Sequence, residues 1–226
     1  MPATSTARER ARAELTREIK DEARRQLAAV GAQALSLRAV ARELGMVSSA
    51  LYRYFPSRDH LLTALIIDAY NAIGDAAEAA DLPEGEQRER WLSIWQGARA
   101  WARAHPHEYA LIYGSPIPGY QAPQDTIVSA GRVAFKLVDV IKSSPLRPVE
   151  DKTEMPGKLK SQAETLAAAL ETDLPATVVT RLLMAWTQLF GAISFELFGQ
   201  YVGSVDPSDD FFGYTSDRMA DFVGIK

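Results

Sequence analysis

The sequence predicts an all-α protein with a small helical segment at its amino end and a larger helical segment behind it. Apolar residues recur at intervals of three and four along much of the 226-residue chain, which is the spacing of one buried helix face. No stretch shows sustained alternation of apolar and polar residues, so no strand is predicted. Cysteine is absent, which excludes a disulfide framework, a zinc finger and a cysteine nucleophile.

Three helices are predicted before Pro56. The first carries an apolar stripe and ends at Gly31, in the place of a C-terminal cap. That stripe consists of Leu15, Ile19, Ala23, Leu27 and Val30. Ser36 is placed to cap the second helix, which Gly45 interrupts. The third covers residues 48–55, because proline cannot continue a helix. A glycine turn between two short helices is typical of a helix-turn-helix.

A longer fourth helix is predicted from the N-cap Ser57 to about Ala80. Residues 114–123 are too rich in proline and glycine for regular structure, and residues 143–157 are predicted as a polar loop. The other predicted helices cover about residues 91–105, 108–113, 127–141, 175–201 and 209–223. The chain shows no secretory signal and no run of about 18 apolar residues, so we expect a cytoplasmic protein without a membrane partner.

Charge is divided unevenly along the chain. The net charge is −4, yet residues 1–58 hold 11 Lys and Arg against 6 Asp and Glu, while residues 59–226 hold 14 against 23. A basic amino-terminal segment followed by an acidic one concentrates the attraction for nucleic acid in residues 1–58. A chance asymmetry of solvated surface is the alternative interpretation.

Residues 40–62, VARELGMVSSALYRYFPSRDHLL, resemble the signature of TetR-family regulators. The resemblance covers roughly residues 12–70, and it departs from the family pattern at two positions. Val47 stands where many members have a Ser or Thr that caps the recognition helix, and Arg58 stands where lysine is usual. The resemblance implies a DNA-binding domain over residues 1–58 and a helical domain for ligand sensing and dimerisation over residues 59–226.

The predicted DNA contacts are Arg38, Ser48, Ser49, Ala50, Tyr52, Arg53, Tyr54 and Arg58. Arg38 is assigned to base reading together with the three residues at the front of the third helix, since arginine can bind guanine O6 and N7 together. Arg53 and Arg58 are assigned to phosphates, and the hydroxyls of Tyr52 and Tyr54 to phosphate oxygens. Packing beneath the helix is an equal alternative for Tyr54, and a solvated surface position is the alternative for Arg38.

Three further arginines precede the stripe of the first helix: Arg8, Arg10 and Arg12. They are placed either to reach an adjacent minor groove as a basic arm or to lie on a frayed, solvated helix end.

The carboxyl part resembles the WHG-type sensor domain of this family through residues 105–114 and residues 186–201. Phe190 stands where that type has histidine. The resemblance implies a homodimer joined by a four-helix bundle, two helices from each subunit. Small residues repeat every seven positions at Ala185, Ala192 and Gly199, which leaves a stripe along which another helix could approach.

A ligand pocket in the sensor is expected to be lined by aromatic side chains. The candidates are Trp95, Tyr109, Tyr113, Phe135, Trp186 and Phe190. Ordinary core packing is the alternative for each of them. Glu196 is a carboxylate within an apolar helix, and it either orients a polar ligand group or forms an ion pair.

The function predicted from these features is a repressor released from a palindromic operator by a small apolar ligand. Two alternatives stay open. One is a pocket protein of the same fold that has lost DNA binding, and the other is an enzyme. Against an enzyme, the chain has no GxSxG, GxGxxG, P-loop or HExxH motif, and its three histidines lack the spacing of a helical metal pair. No cofactor and no metal are expected.

Overall fold

The computed structural model describes residues 6–150 and 153–226, and over these residues the chain forms ten α-helices and one 3₁₀ helix, without a strand. The all-α prediction is confirmed. The helices are α1 (Ala7–Val30), α2 (Leu37–Glu43), α3 (Ser48–Leu51), α4 (Arg58–Ala80), α5 (Gln87–Ala104), α6 (Pro106–Tyr113), α7 (Thr126–Lys142), α8 (Gly157–Ala169), α9 (Ala176–Leu197) and α10 (Asp209–Val223), and the 3₁₀ helix is Ala32–Ala34.

The chain forms two compact units. The first contains the chain up to Tyr70 together with His105–Ile127, and the second contains Asn71–Ala104 together with Val128–Lys226. Helix α4 therefore begins in the first unit and ends in the second. The predicted domain boundary after residue 58 falls inside the first unit. The assignment of DNA binding to residues 1–58 and of ligand sensing to residues 59–226 stays a prediction.

Capping interactions fix the helix ends of the first unit. Thr6 and Glu9 form a reciprocal capping box at the start of α1, and Gly31 ends that helix with φ 75°. The predicted caps of α2 and α4 are both present. Ser36 Oγ accepts from the amide of Ala39 at 3.4 Å, and Ser57 Oγ accepts from the amide of His60 at 3.3 Å.

The first three helices and the start of α4 share one hydrophobic cluster. Its buried members include Ile19 of α1, Val40 of α2, Leu51 of α3 and Leu62 of α4. The segment after α6 also packs on this cluster through Ile117 and other partly buried residues. The stripe predicted for α1 is buried at Ile19, Ala23 and Leu27, partly buried at Leu15 and exposed at Val30 in the last turn.

Helix α3 ends four residues earlier than predicted. After Leu51 three-residue turns appear, from the Arg53 amide to Ala50 O (3.2 Å) and from the Tyr54 amide to Leu51 O (2.9 Å), beside one four-residue bond from the Phe55 amide to Leu51 O (3.1 Å). The chain thus tightens before Pro56 instead of continuing as an α-helix.

The second unit buries one face each of α5, α7, α9 and α10. Helix α8 was not predicted, because its buried residues are the small Ala163 and Ala167, which pack against Val179 and leave only a weak apolar signal. Helix α9 ends at Leu197 rather than near Tyr201. It is long and apolar enough to cross a membrane by length and composition, but half of that window is buried within the protein.

Candidate DNA-binding site and sensor

The front of α3 lacks a side-chain cap. Val47 occupies the N-cap position, as the departure from the family pattern predicts, and no side chain bonds the first amides of the helix. Ser49 is exposed, and Ser48 and Ala50 are half-buried. These three residues form the first turn of α3, where a base-reading helix meets the major groove.

Two of the predicted contact arginines are exposed at the surface. Arg38, in the first turn of α2, and Arg53, after α3, are exposed and have no ion-pair partner among the described residues. In contrast, Lys20 and Arg24 of α1 both bind Asp68, at 2.7 and 2.6 Å. Arg38 and Arg53 therefore leave positive charge near α2 and α3 that is available to a phosphate or a base.

The two tyrosines of the motif differ in exposure. Tyr52 is 42% exposed, whereas Tyr54 is half-buried and packs against the hydrophobic cluster of the first unit. Arg12 of α1 lies over the Tyr54 ring, with its Cζ 5.1 Å from the ring centroid, and donates to Arg53 O at 3.4 Å. Residues 7–14 thus belong to α1, which begins at a formed cap rather than at the frayed end that the alternative to a basic arm predicts. The packing of Arg12 on Tyr54 was not predicted, although Thr6-x-x-Glu9 is a capping-box signal for an earlier helix start.

Arg58 makes contacts that the sequence did not suggest. Its Nε donates to Leu35 O at 3.1 Å, and its Nη2 donates to Ala32 O at 2.8 Å and to Gln33 O at 3.2 Å. These carbonyls lie in and just after the 3₁₀ helix that joins α1 to α2.

The aromatic residues proposed for the ligand pocket fall into separate ring clusters. In the first unit, Tyr113 contacts Tyr109 and Tyr70, with ring centroids 5.2 and 6.0 Å apart. Burial, assisted by the neighbouring Tyr70 phenol, raises the pKa of Tyr113 above its ordinary value, so this hydroxyl stays neutral.

The second unit holds the other ring clusters. Trp95 is buried between Trp91 and Phe212, at 5.6 and 6.0 Å, and Trp186 stacks edge-on against Phe190 at 5.2 Å. The Trp91 indole donates to Ser216 O at 3.1 Å, but the buried indole nitrogens of Trp95 and Trp186 meet no acceptor among the described residues. Phe135 of α7 is one-third exposed.

One cavity of about 230 Å³ lies wholly within the first unit, beneath the irregular segment after α6. Its lining is Ile66, Tyr70, Leu111, Ile112, Gly114, Ser115, Pro116, Ile117, Tyr120, Ala122 and Thr126. None of these side chains is charged, and the polar groups are hydroxyls. The Tyr120 hydroxyl lies 2.9 Å from Thr63 Oγ1 on α4, which ties the covering segment to that helix. The six predicted pocket residues do not line this cavity, and their contact with a ligand stays a prediction.

Glu196 is an ion-pair residue. The guanidinium of Arg99, only 4% exposed, donates to both of its carboxylate oxygens at 2.7 and 2.8 Å and to Asp209 at 3.0 Å. The same guanidinium stacks on Phe212. Helices α5, α9 and α10 are joined at this point, which supports the ion-pair alternative.

An apolar face of α9 and α10 is left uncovered. Its large exposed side chains are Leu183, Met184 and Phe195 of α9, Phe198 at the end of that helix, Val202 in the segment that follows and Tyr214 of α10. Ala185 and Ala192 are buried within their own unit while Gly199 is exposed, so the predicted small-residue stripe does not present a continuous surface to a second subunit. The face that could receive a partner lies to the side of that stripe, around Phe195.

Comparison with known proteins agrees with both parts of this description. Residues 19–65 match the family model described as bacterial regulatory proteins, tetR family, and residues 91–219 match the one described as tetracyclin repressor-like, C-terminal domain. The HTH-type transcriptional regulator Rv1816 of Mycobacterium tuberculosis is 40% identical over 198 residues, covering 84% of each chain. The counterpart Mb1846 of Mycobacterium bovis matches equally.

Solved structures extend the likeness over nearly the whole chain. The crystal structure of SCO4313 is 35% identical with a TM-score of 0.80, covering 96% of this chain and 100% of that one. A protein of unknown function from Rhodococcus sp. RHA1 has a TM-score of 0.66 at 23% identity, covering 100% and 98%, which shows the shared fold alone.

Proposed function

Because the chain belongs to the TetR family of transcriptional regulators, we propose that it is a repressor that binds a palindromic operator as a homodimer and leaves it when a small apolar molecule binds. The observation that carries DNA reading is the pair of exposed arginines on either side of α3, Arg38 and Arg53, which have no acidic partner in the described parts of the chain. Binding to chromosomal DNA also assigns the protein to the cytoplasm.

Arg38 reads a base, and the first turn of α3 reads its neighbours through Ser48, Ser49 and Ala50. Tyr52 and Arg53 bind phosphates and fix the register of the helix. Tyr54 contributes mainly by packing, since its ring is half-buried beneath Arg12.

The homodimer forms through the uncovered face of α9 and α10. Large apolar side chains such as Phe195 and Phe198 favour burial against a second copy, because contiguous apolar surface is costly in water. A two-fold dimer also matches a palindromic site, since each recognition helix meets an equivalent half-site.

The effector is an uncharged molecule, for which the cavity beneath the segment after α6 is a candidate site. Its lining offers apolar contacts and hydroxyls but no charge. The aromatic residues Trp95, Tyr109, Tyr113, Phe135, Trp186 and Phe190 remain the alternative lining. Helix α4 carries Ile66 and Tyr70 of the cavity and begins directly after the helix-turn-helix, so a ligand there bears on the helix that supports α3.

The test begins with duplexes selected from a random library by the wild-type protein. Arg38→Ala should relax the preference at one position in each half-site by ~1–3 kcal/mol, whereas Arg53→Gln should weaken binding to all duplexes. Selection of no duplex, or unchanged affinity in both variants, would contradict the assignment and favour a pocket protein without DNA binding.

The release step is tested with a small molecule that co-purifies with the protein, identified by mass spectrometry. Its affinity is measured by calorimetry with and without the selected duplex. A coupling of ~1–3 kcal/mol requires the duplex to weaken ligand binding about 5- to 150-fold, because coupling is reciprocal. Equal affinities in the two titrations would show that this molecule is not the inducer.

A further inference from the structure

We infer that Arg58 is a positioning residue that holds the start of α2, and with it Arg38, in place for reading DNA. The inference rests on the proposed DNA binding. It assigns Arg58 to carbonyls of the protein's own backbone. The place of Arg58 in the family motif suggests that it binds a phosphate instead.

The contacts of Arg58 converge on one short segment. Nε and Nη2 lie on the same edge of the planar guanidinium, and together they bind the carbonyls of Ala32, Gln33 and Leu35 at 2.8–3.2 Å. The N-cap Ser36 follows directly in the chain. A fork that fixes these carbonyls therefore fixes the backbone from which α2 and its first-turn residue Arg38 begin.

Little of the guanidinium is left for DNA. Nη1 lies 3.8 Å from the carboxylate of Asp59, and the side chain is 29% exposed. A phosphate at that edge would meet a carboxylate as well as the arginine. Arg53, five residues earlier, is exposed and has no acidic partner in the described part of the chain.

The local backbone explains why an arginine is needed. Gly31 ends α1 at φ 75°, and in the single 3₁₀ turn that follows the Ala32 carbonyl accepts from the Leu35 amide, while the carbonyls of Gln33 and Leu35 have no amide partner among the described residues. A lysine ammonium is a point donor and cannot reproduce a planar fork that binds three acceptors, so charge alone does not replace Arg58.

The experiment compares Arg58→Gln, Arg58→Lys and the matched control Arg53→Gln. Binding is measured by fluorescence anisotropy at several salt concentrations, on the duplex selected by the wild-type protein and on a scrambled duplex. Arg58→Gln should lower the ratio of selected to scrambled affinity by about tenfold, since hydrogen bonds to charged groups are among the stronger ones. Its affinity for the scrambled duplex and its salt slope should stay unchanged, and Arg58→Lys should behave in the same way. Arg53→Gln should weaken both duplexes and reduce the salt slope by about one phosphate contact.

Hydrogen exchange supplies a readout that does not depend on DNA. The amides of residues 37–40 should exchange faster in both Arg58 variants than in the wild-type protein or in Arg53→Gln, because the start of α2 opens more often. The inference is overturned if Arg58→Gln reduces the salt slope as Arg53→Gln does, if Arg58→Lys reads DNA like the wild-type protein, or if exchange over these residues is unchanged. If the wild-type protein selects no duplex, the proposed function fails, and unchanged exchange in the Arg58 variants would separately refute the positioning role.

Discussion

Replacing Trp95 by phenylalanine should cost less stability than the same replacement at Trp91. The two side chains lie one turn apart on α5, both are fully buried, and both lose the same ring volume, so the cavity contributions nearly cancel. Trp91→Phe removes the hydrogen bond from the indole to Ser216 O, at a cost of about 1 kcal/mol. Trp95→Phe removes a buried N–H without an acceptor in the described residues, which relieves a penalty of about 1–3 kcal/mol.

Urea unfolding followed by circular dichroism measures this difference. The unfolding free energies should differ by about 2 kcal/mol or more, which separates the urea midpoints by roughly 1 M. Both variants are compared at one protein concentration, because dimerisation adds to apparent stability. Equal midpoints, or a less stable Trp95→Phe, would refute the reasoning. A ligand titration then separates the alternatives for Trp95, since a ligand that accepts from its indole would bind weakly only to Trp95→Phe.

Three further changes test the second unit. Phe195→Glu on the exposed face of α9 should give a monomer that no longer binds the selected duplex, measured by light scattering and anisotropy; a DNA-competent dimer would show that the dimer face lies elsewhere. Hydrogen bonds and attraction from Arg90 and Lys136 lower the pKa of Asp81 to about 2. This carboxylate therefore stabilises the fold by about 2 kcal/mol above pH 4, and the contribution is lost as the pH falls towards 2. Asp81→Asn should be less stable at neutral pH, and its unfolding free energy should fall less steeply between about pH 4 and pH 2. An unchanged decline over that range would count against the ion pair. Gly97→Ala should destabilise the fold by ~1–3 kcal/mol, because the new Cβ would lie 2.5 Å from the Cβ of Ala80. A Cβ at Gly213 would meet no atom within 4 Å, so Gly213→Ala should raise the urea midpoint. Equal effects of the two substitutions would contradict this packing.

Much of the fold could be predicted because its helix ends carry local signals. Ser36 and Ser57 cap the helices that follow them. Pro56 lies between α3 and α4, and Pro106 begins α6 just after α5 ends. Such signals act within a few residues, so they are visible in the sequence. Helix α8 has no comparable signal, because its buried residues are alanines and its N-cap is a proline without a side-chain acceptor. The early end of α3 also escaped prediction, since residues 52–54 are compatible with both an α-helix and tighter turns.

The sequence places the candidate site around α3, but it does not determine the role of each side chain. The motif identifies which residues surround α3, and Arg38 and Arg53 are exposed as a DNA contact requires. Residue type says nothing about which side of α9 faces its own unit, which is why Ala192 was assigned to the dimer face and is buried. Heptad spacing selects a face of a helix, whereas the neighbouring helices decide what covers that face.

The arginines show most clearly that residue type does not determine what a side chain contacts. Arg12, Arg53, Arg58 and Arg99 have identical chemistry, yet Arg99 is buried on a carboxylate, Arg12 lies over an aromatic ring, Arg58 binds three carbonyls and Arg53 is exposed. The difference arises from acceptors contributed by distant parts of the chain: the carbonyls around Arg58 come from residues 23–26 positions earlier, and Glu196 is 97 positions from Arg99. A basic residue in a DNA-binding motif is therefore available to DNA only where the fold has left its guanidinium without an internal acceptor. Counting positive charges overestimates the DNA-binding surface, and the salt slope of operator binding should follow the smaller number of arginines that remain free.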